Sequence, residues 1–531
     1  MLMTPKRANW LFALIVVVYI GYAAAFIYNT SVEVNGVRYF TLFDDAMISM
    51  RYAKNLAQGY GLVWNPGETP VEGYTNPLWV VYMAIFHLLP IDPRMISLYI
   101  QISAAVLLVI NLFIVRRLAY RLTGSQVAAL IAVIFTAFSL QLNTWSLQGM
   151  EVCVLAPLIS LTVLLLVESM QADRFSVWPY VLLGIGTLVR IDVLAPYVAV
   201  VGFMLFNDRV RWKQHLLYGV GVLLTFFVPM TLFRLAYYGD YLPNTYYLKV
   251  TGYPILLRVL NGLHYAVTYI SRVGIFALAI YLFRRDRLIR LIGWLVIVQM
   301  LYSIYVGGDA WDYWSQGANR YVSIALPLLF VLFAAAFVEV WNRLRAALNT
   351  PRDRRFLAYG ALVFGIFSLI IFNSLYGPDA VGEWLLLNSG LLHGDDQNMV
   401  ARSVLTTEIT TDKARVAVVW AGILPYFTNR PAVDLLGKSD VRIAHMQARS
   451  EIAEHNPYLQ LGLYYPGHMK WDYAYSIGQL KPDLVIDLWK APWEADPYLK
   501  ADYVKIKLGS DTAYALKNSP NILWGKVTPA S

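Results

Sequence analysis

The stretch FTLFDDAMISMRYAKNLAQGYGLVWNPGE, residues 40–68, follows an apolar run long enough to cross a membrane and opens on two adjacent carboxylates, Asp44 and Asp45. Its reading decides the fold, because it marks where a first span ends and a large polar loop begins. Upstream, Lys6 and Arg7 precede the apolar run, which continues to Tyr28 without an obvious small-residue cleavage site. That pattern predicts a retained first span with the N-terminus on the cytoplasmic side.

Composition supports the membrane reading. Of 531 residues, 58% are hydrophobic and only 15% are charged, too few to cover a soluble surface of this size. Apolar segments of span length recur through the first 375 positions. The net charge of +9 does not indicate nucleic acid, because the basic residues form short clusters between apolar segments. This is the distribution of cytoplasmic loops, so the bilayer is an expected partner and nucleic acid is not. The single cysteine, Cys153, cannot form an internal disulfide and is expected to pack as a small apolar residue.

The positive-inside rule then arranges the chain. NPLWVVYMAIFHLLP at 76–90 is too short for a comfortable crossing, and counting it as a span would place RRLAYRL at 116–122 outside. It is therefore expected to lie in the outer interface. The basic clusters at 207–215, 284–290 and 342–356 then fall inside, giving about eleven transmembrane helices and a C-terminus outside. After Phe372 the apolar runs shorten to strand length, as in ARVAVVW, DLVIDL and YVKIKL. The expected organisation is a helical membrane domain over 1–375, with a large first extracytoplasmic loop at 30–93, and an extracytoplasmic α/β domain over 376–531. About 155 residues suffice for an independent core.

Within the opening stretch, Ala46, Met50, Ala53 and Ala57 recur at helical spacing, with Arg51, Lys54, Asn55 and Gln58 on another face and Gly59 as a stop. This predicts an amphipathic helix along the membrane surface. Carboxylates at its start suit the helix dipole and the free N–H groups there. One acid suffices for a cap, so the other is expected to face a cavity as general base, with Asp44 favoured as base and Asp45 as cap. A divalent cation held by the pair is the alternative. Farther on, Glu72, Tyr74 and Asn76 occupy the loop, Glu151 begins a span, Arg190 and Asp192 interrupt an apolar stretch, and Asp309 and Arg320 flank WDYWSQGAN. Ionisable groups at membrane depth usually face a protein interior or watery cavity. Lys249, Arg190 and Arg320 offer cations for a phosphate.

The ordered motifs resemble those of GT-C membrane glycosyltransferases, and more closely the mycobacterial terminal β-(1→2)-arabinofuranosyltransferase family and its bacterial relatives. The resemblance rests on DDAMISMRYAKNLAQGYGLVWNPGETPVEGYTNPLW, GMEV at 149–152, LVRIDVLAP, YYGDYLPNTYYLKV at 237–250 and YVGGDAWDYWSQGANRYVSIALPLL at 305–329. DLLGKSDVRIAH and PGHMKWDY later in the chain belong to it as well. Ile191 stands where relatives often carry proline, and the segment after Asp309 is longer than usual.

The resemblance implies a GT-C fold and inverting transfer of arabinofuranose or a hexose from a polyprenyl-phosphate donor to a glycan or lipid-linked acceptor. The reaction, of the EC 2.4 class, would take place outside the bacterial cytoplasmic membrane. It makes Asp44 or Asp45 the base. It adds Asp240, Asn244, Tyr247, His468 and Lys470 to Glu72, Tyr74, Asn76, Glu151, Arg190, Asp192, Lys249, Asp309 and Arg320 as substrate-binding candidates. No cofactor is required, and no His or Cys pair stands at transition-metal spacing. The competing expectation is a polytopic lipid or glycan transporter or flippase without transferase activity.

Overall fold

A computed structural model describes residues 3–269, 286–312, 319–374, 379–388, 391–449 and 465–530. Among them, seven helices are long and apolar enough to cross a membrane: Pro5–Asn29, Pro93–Thr123, Val152–Gln171, Trp212–Tyr238, Arg287–Val306, Leu326–Ala347 and Pro351–Ser374. An eighth results if Gln126–Ala137 and Leu140–Leu147, bent by 51° at their junction, count as one span. The expected number of about eleven needs three further crossings. Trp178–Val189 and Leu194–Asn207 are shorter apolar helices separated by a 3₁₀ turn at Ile191–Val193, and each alone is shorter than a bilayer core. The remaining apolar run, at 270–285, lies outside the described residues. Pro77–His87, expected at the interface, is an eleven-residue helix too short to span.

The spanning helices differ widely in how much apolar surface they leave exposed. Trp212–Tyr238 buries only 6% of its most apolar window and lies at the rim of the bundle, packed against Trp178–Val189 and Leu194–Asn207. Val152–Gln171, with 78% of its window buried, forms the middle of the bundle.

Between the first two long helices, a hairpin pairs β1 (Val32–Val34) with β2 (Val37–Tyr39) through Asn35 and Gly36, both at positive φ. The next helix, Asp44–Ala57, carries both acids in its first turn, where the dipole favours them. Neither caps it, because Phe43 holds the N-cap position without a side-chain bond.

The amphipathic surface helix expected from the sequence is instead enclosed on both faces. Its apolar side packs into the membrane domain through Met47 and Met50, and its polar side meets the C-terminal domain. Arg51, 3% exposed, donates to the carbonyls of Trp64 (2.6 Å), Pro425 and Arg430 (2.9 Å), and to Asn65 Oδ1 (2.9 Å). Protein carbonyls replace water on that face, so a polar stripe that reads as solvated is a domain seam.

The C-terminal domain holds a six-stranded sheet of order β4-β3-β5-β7-β6-β8. β3 (Val416–Val418) runs parallel to β4 (Ala432–Asp434) and β5 (Leu484–Val485). β6 (Tyr503–Leu508), β7 (Asp511–Leu516) and β8 (Thr528–Pro529) complete it in antiparallel fashion. The three short parallel strands are wholly buried, which explains their unbroken apolar runs. Open α/β sheets bind ligands beyond the carboxyl ends of such strands. The segments leaving β3 and β4 reach the acidic pair.

Candidate active site

The acidic pair divides between two environments. Asp44 Oδ1 accepts from the backbone N–H groups of Gly422 (3.1 Å) and Ile423 (2.8 Å), just after β3. The approach is so close that a Cβ on Gly422 would fall 1.9 Å from the Asp44 carbonyl oxygen, so only glycine fits there. Asp44 Oδ2 is buried without a hydrogen-bond partner among the described residues. Burial pushes the Asp44 carboxyl up to about 6, against the pull of Lys438 and the two N–H groups, while Asp45 adds to the rise.

Asp45 meets cations on both oxygens: Lys438 Nζ lies 2.5 Å from Oδ1, and an Arg320 N–H donates to Oδ2 at 3.0 Å. Burial opposes its charge, but Lys438, Arg320 and Lys249 together hold it well below the usual carboxylate range. Arg320 in turn pairs with Asp309 at 2.8 Å.

Lys438 is placed by the turn after β4. Asp434 Oδ1 accepts from the N–H groups of Leu436 and Gly437, Oδ2 accepts from that of Ser439, and Asn244 Nδ2 donates to the carbonyls of Gly437 and Lys438. Lys249, five residues beyond Asn244, passes along Gly467, where a Cβ would meet its side chain at 3.0 Å. No hydrogen bond or ion pair engages Lys249 among the described residues. Burial lowers its ammonium to about 8, with Arg320 adding to the fall and Asp45 and Asp309 opposing it. Lys249, Lys438 and Arg320 thus gather around Asp45 as a cluster of three cations, of which Lys249 has no partner among the described residues.

A second polar network lies at the ends of the membrane helices. Asn76 accepts from Ser49 (2.9 Å) and donates to Glu151 (2.8 Å). Glu151 pairs with Arg190, which also binds Asp192 at 2.8 Å. Arg190 and Arg320 both lie against the Tyr321 ring, 5.1 and 5.7 Å from its centroid, so the two networks adjoin.

Other expected substrate contacts are committed elsewhere. Glu72 pairs with Arg234, whose Nε–H is shared between the two carboxylate oxygens (3.0 and 2.9 Å); both residues are 2% exposed, and burial raises the Glu72 carboxyl to about 7 against that pairing. The Tyr74 hydroxyl meets that of Tyr238 at 2.8 Å. Asp240 accepts from the Tyr247 hydroxyl, and the Tyr247 ring stacks on His445 at 4.2 Å. Lys470 spends its three N–H bonds on the carbonyls of Tyr247, Thr251 and Ala444 (3.0, 2.9 and 2.7 Å). That geometry makes it a clamp between the 244–251 segment and the C-terminal domain, with no donor left for a substrate. His468 remains at the site among Trp311, Trp420 and Trp489.

Sequence reasoning did not single out Lys438 or the Gly422–Ile423 amides. Lys438 lies inside the DLLGKSD motif, but nothing in a sequence announces a pairing across the 393 positions between it and Asp45. Among the described residues, no three His, Cys, Asp or Glu side chains converge as metal ligands.

Residues 78–233 match the dolichyl-phosphate-mannose-protein mannosyltransferase family, and residues 392–519 match a domain of unknown function, DUF8728. No curated protein matches the chain by sequence. Among solved structures, ArnT from Cupriavidus metallidurans bound to undecaprenyl phosphate aligns at 13% identity and a TM-score of 0.57. That match covers 95% of this chain and 98% of the other. The apo oligosaccharyltransferase of Archaeoglobus fulgidus aligns at 11% identity and a TM-score of 0.57, covering 98% and 75%. The AglB oligosaccharyltransferase of the same organism, in complex with an inhibitory peptide and a dolichol-phosphate, aligns at 12% and 0.53, covering 96% and 74%. The chain has the GT-C fold with a C-terminal sheet domain.

Proposed function

We propose that this protein is an inverting glycosyltransferase that moves a sugar, arabinofuranose or a hexose, from a polyprenyl-phosphate donor to a hydroxyl of a glycan or lipid-linked acceptor. The reaction would take place on the extracytoplasmic face of the bacterial cytoplasmic membrane. The observation that carries this reading is the juxtaposition of two unlike acids. Asp45 is wrapped by phosphate-binding cations, whereas Asp44 keeps an unpartnered oxygen and a carboxyl raised to about 6, near the working range of a general base. The undecaprenyl phosphate in one similar structure and the dolichol-phosphate in another support a lipid-phosphate donor.

On this reading, Asp44 Oδ2 takes the proton of the acceptor hydroxyl as its oxygen attacks the anomeric carbon. The bond from that carbon to the phosphate oxygen breaks, and polyprenyl monophosphate leaves. The charge gained by the leaving phosphate meets Lys249, Arg320 and Lys438, so no strong general acid is needed. Asp45 serves as counter-ion, holding Arg320 and Lys438 ready before the donor arrives. This chemistry requires no cofactor, and a divalent cation held by the acidic pair would compete with Lys438 for Asp45.

Mass spectrometry of lipid-linked sugars and envelope glycans, with and without the intact gene, tests the reading. A donor that accumulates together with a glycan lacking one sugar is the expected result. Unchanged lipid-linked sugars and glycans would overturn it.

A further inference from the structure

The segments leaving β3 and β5 carry Trp420 and Trp489, both half-buried, at the sheet edge that faces the acidic pair. Their rings meet near edge-on, at 83° and 6.0 Å, and Trp311 stacks on Trp420 at 5.6 Å. Trp311 also meets Phe43, the residue before Asp44, at 5.4 Å, so the aromatic wall is continuous with the acidic pair. His468 lies among the three indoles, 5.7 to 6.4 Å from each, and is 4% exposed.

The histidine's chemistry is specific. Its Nδ1 faces the Pro466 carbonyl at 3.2 Å. A carbonyl only accepts, so Nδ1 carries the proton and Nε2 presents a bare lone pair. Nε2 is buried without a partner among the described residues. Burial, with Lys438 adding to the effect, lowers the imidazole to about 3, so the ring is neutral and Nε2 acts as an acceptor. The Trp489 indole N–H donates to the His468 carbonyl at 2.7 Å and fixes the residue in place. A buried acceptor left unsatisfied between aromatic faces calls for a ligand with an O–H donor and a flat C–H surface.

We infer that Trp420, Trp489 and His468 form a sugar subsite at the carboxyl ends of β3 and β5, with a ring hydroxyl donating to His468 Nε2. The inference rests on the transferase reading and locates the sugar that the reading requires, either the donor's or the acceptor's.

The test measures binding of four probes to the full-length protein in nanodiscs: polyprenyl phosphate, polyprenyl-phosphate arabinofuranose, polyprenyl-phosphate mannose and a free methyl glycoside of either sugar. His468→Phe removes the acceptor while filling the same space, and Trp420→Ala, at a half-buried position, gives a second variant. For a donor subsite, each variant binds its preferred sugar-bearing lipid about tenfold more weakly, with polyprenyl phosphate unchanged. For an acceptor subsite, the loss falls on the free glycoside alone. Should both variants bind every sugar-bearing probe as the native protein does, the subsite is overturned while the transferase reading stands. Should the native protein fail to bind polyprenyl phosphate in any form, the transferase reading falls and takes the subsite with it.

Discussion

Two polar networks lie side by side at the same end of the membrane helices, yet they differ in closure. In the Asn76–Glu151–Arg190–Asp192 network, each Glu151 oxygen and both ends of the Asn76 amide have partners. Around the acidic pair, Asp44 Oδ2 has none, and Lys249 has none among the described residues. A closed buried network holds helices in register. An open one keeps bonding capacity for something that arrives. The sequence gives both sets the same appearance, namely ionisable residues at membrane depth, and only their partners separate scaffold from site.

Removing the open oxygen is the most direct way to test this contrast. Asp44→Asn should lower turnover by about 10²- to 10⁴-fold, with thermal unfolding and donor binding little changed, as read by a transfer assay beside a melting curve. The closed network should respond in the opposite sense. Arg190→Met leaves Glu151 and Asp192 as uncompensated buried acids and should destabilise the protein by about 3–5 kcal/mol. If instead the variant melts normally and loses donor affinity, the network belongs to the site and the contrast fails.

Gly422→Ala is expected to cost about 1–3 kcal/mol through overpacking, because the Asp44 carbonyl occupies the place of the new methyl group. Limited proteolysis should then show the C-terminal domain loosened from the helix at 44–57.

The two acids should also separate by pH. Asp44 must be ionised to accept a proton, so turnover is full well above about 6 and falls roughly tenfold per unit below it. Its folded value lies above the ordinary 3.8, so the penalty for burying its charge is full above about 6 and fades as pH falls toward 4. Protonating this group therefore does not unfold the protein, and the acid limb of the rate profile should precede any acid denaturation. Asp45, held low by its cations, stays ionised throughout that window. The smallest expected effect is that of Lys249→Gln, about tenfold in donor affinity, read by titration with polyprenyl phosphate.

Much of this arrangement was legible in the sequence where the signal is local. Hydropathy marks the long helices, the Arg190–Asp192 break coincides with a 3₁₀ turn, and the strand-length runs ARVAVVW and YVKIKL contain β3 and β6. Asp44, Asp45, Asp309, Arg320 and Lys249 were all visible as charges in loops between apolar segments. Polarity alone could not show whether a partner already satisfies it. Arg51 and Lys470 look available in sequence, but distant backbone carbonyls occupy them. Lys438 looks like an ordinary loop lysine, but it binds Asp45. The reason Asp44 differs from Asp45 also lies outside their own helix, since neither acid caps it.

The contact between Asp44 and the Gly422–Ile423 amides joins positions 378 and 379 residues apart. During synthesis, the acid emerges long before the segment that encloses it. Until then its carboxyl remains hydrated, with the acidity of an ordinary aspartate. The raised carboxyl on which the proposed mechanism relies is thus conferred only after β3 and the segment leaving it have been made.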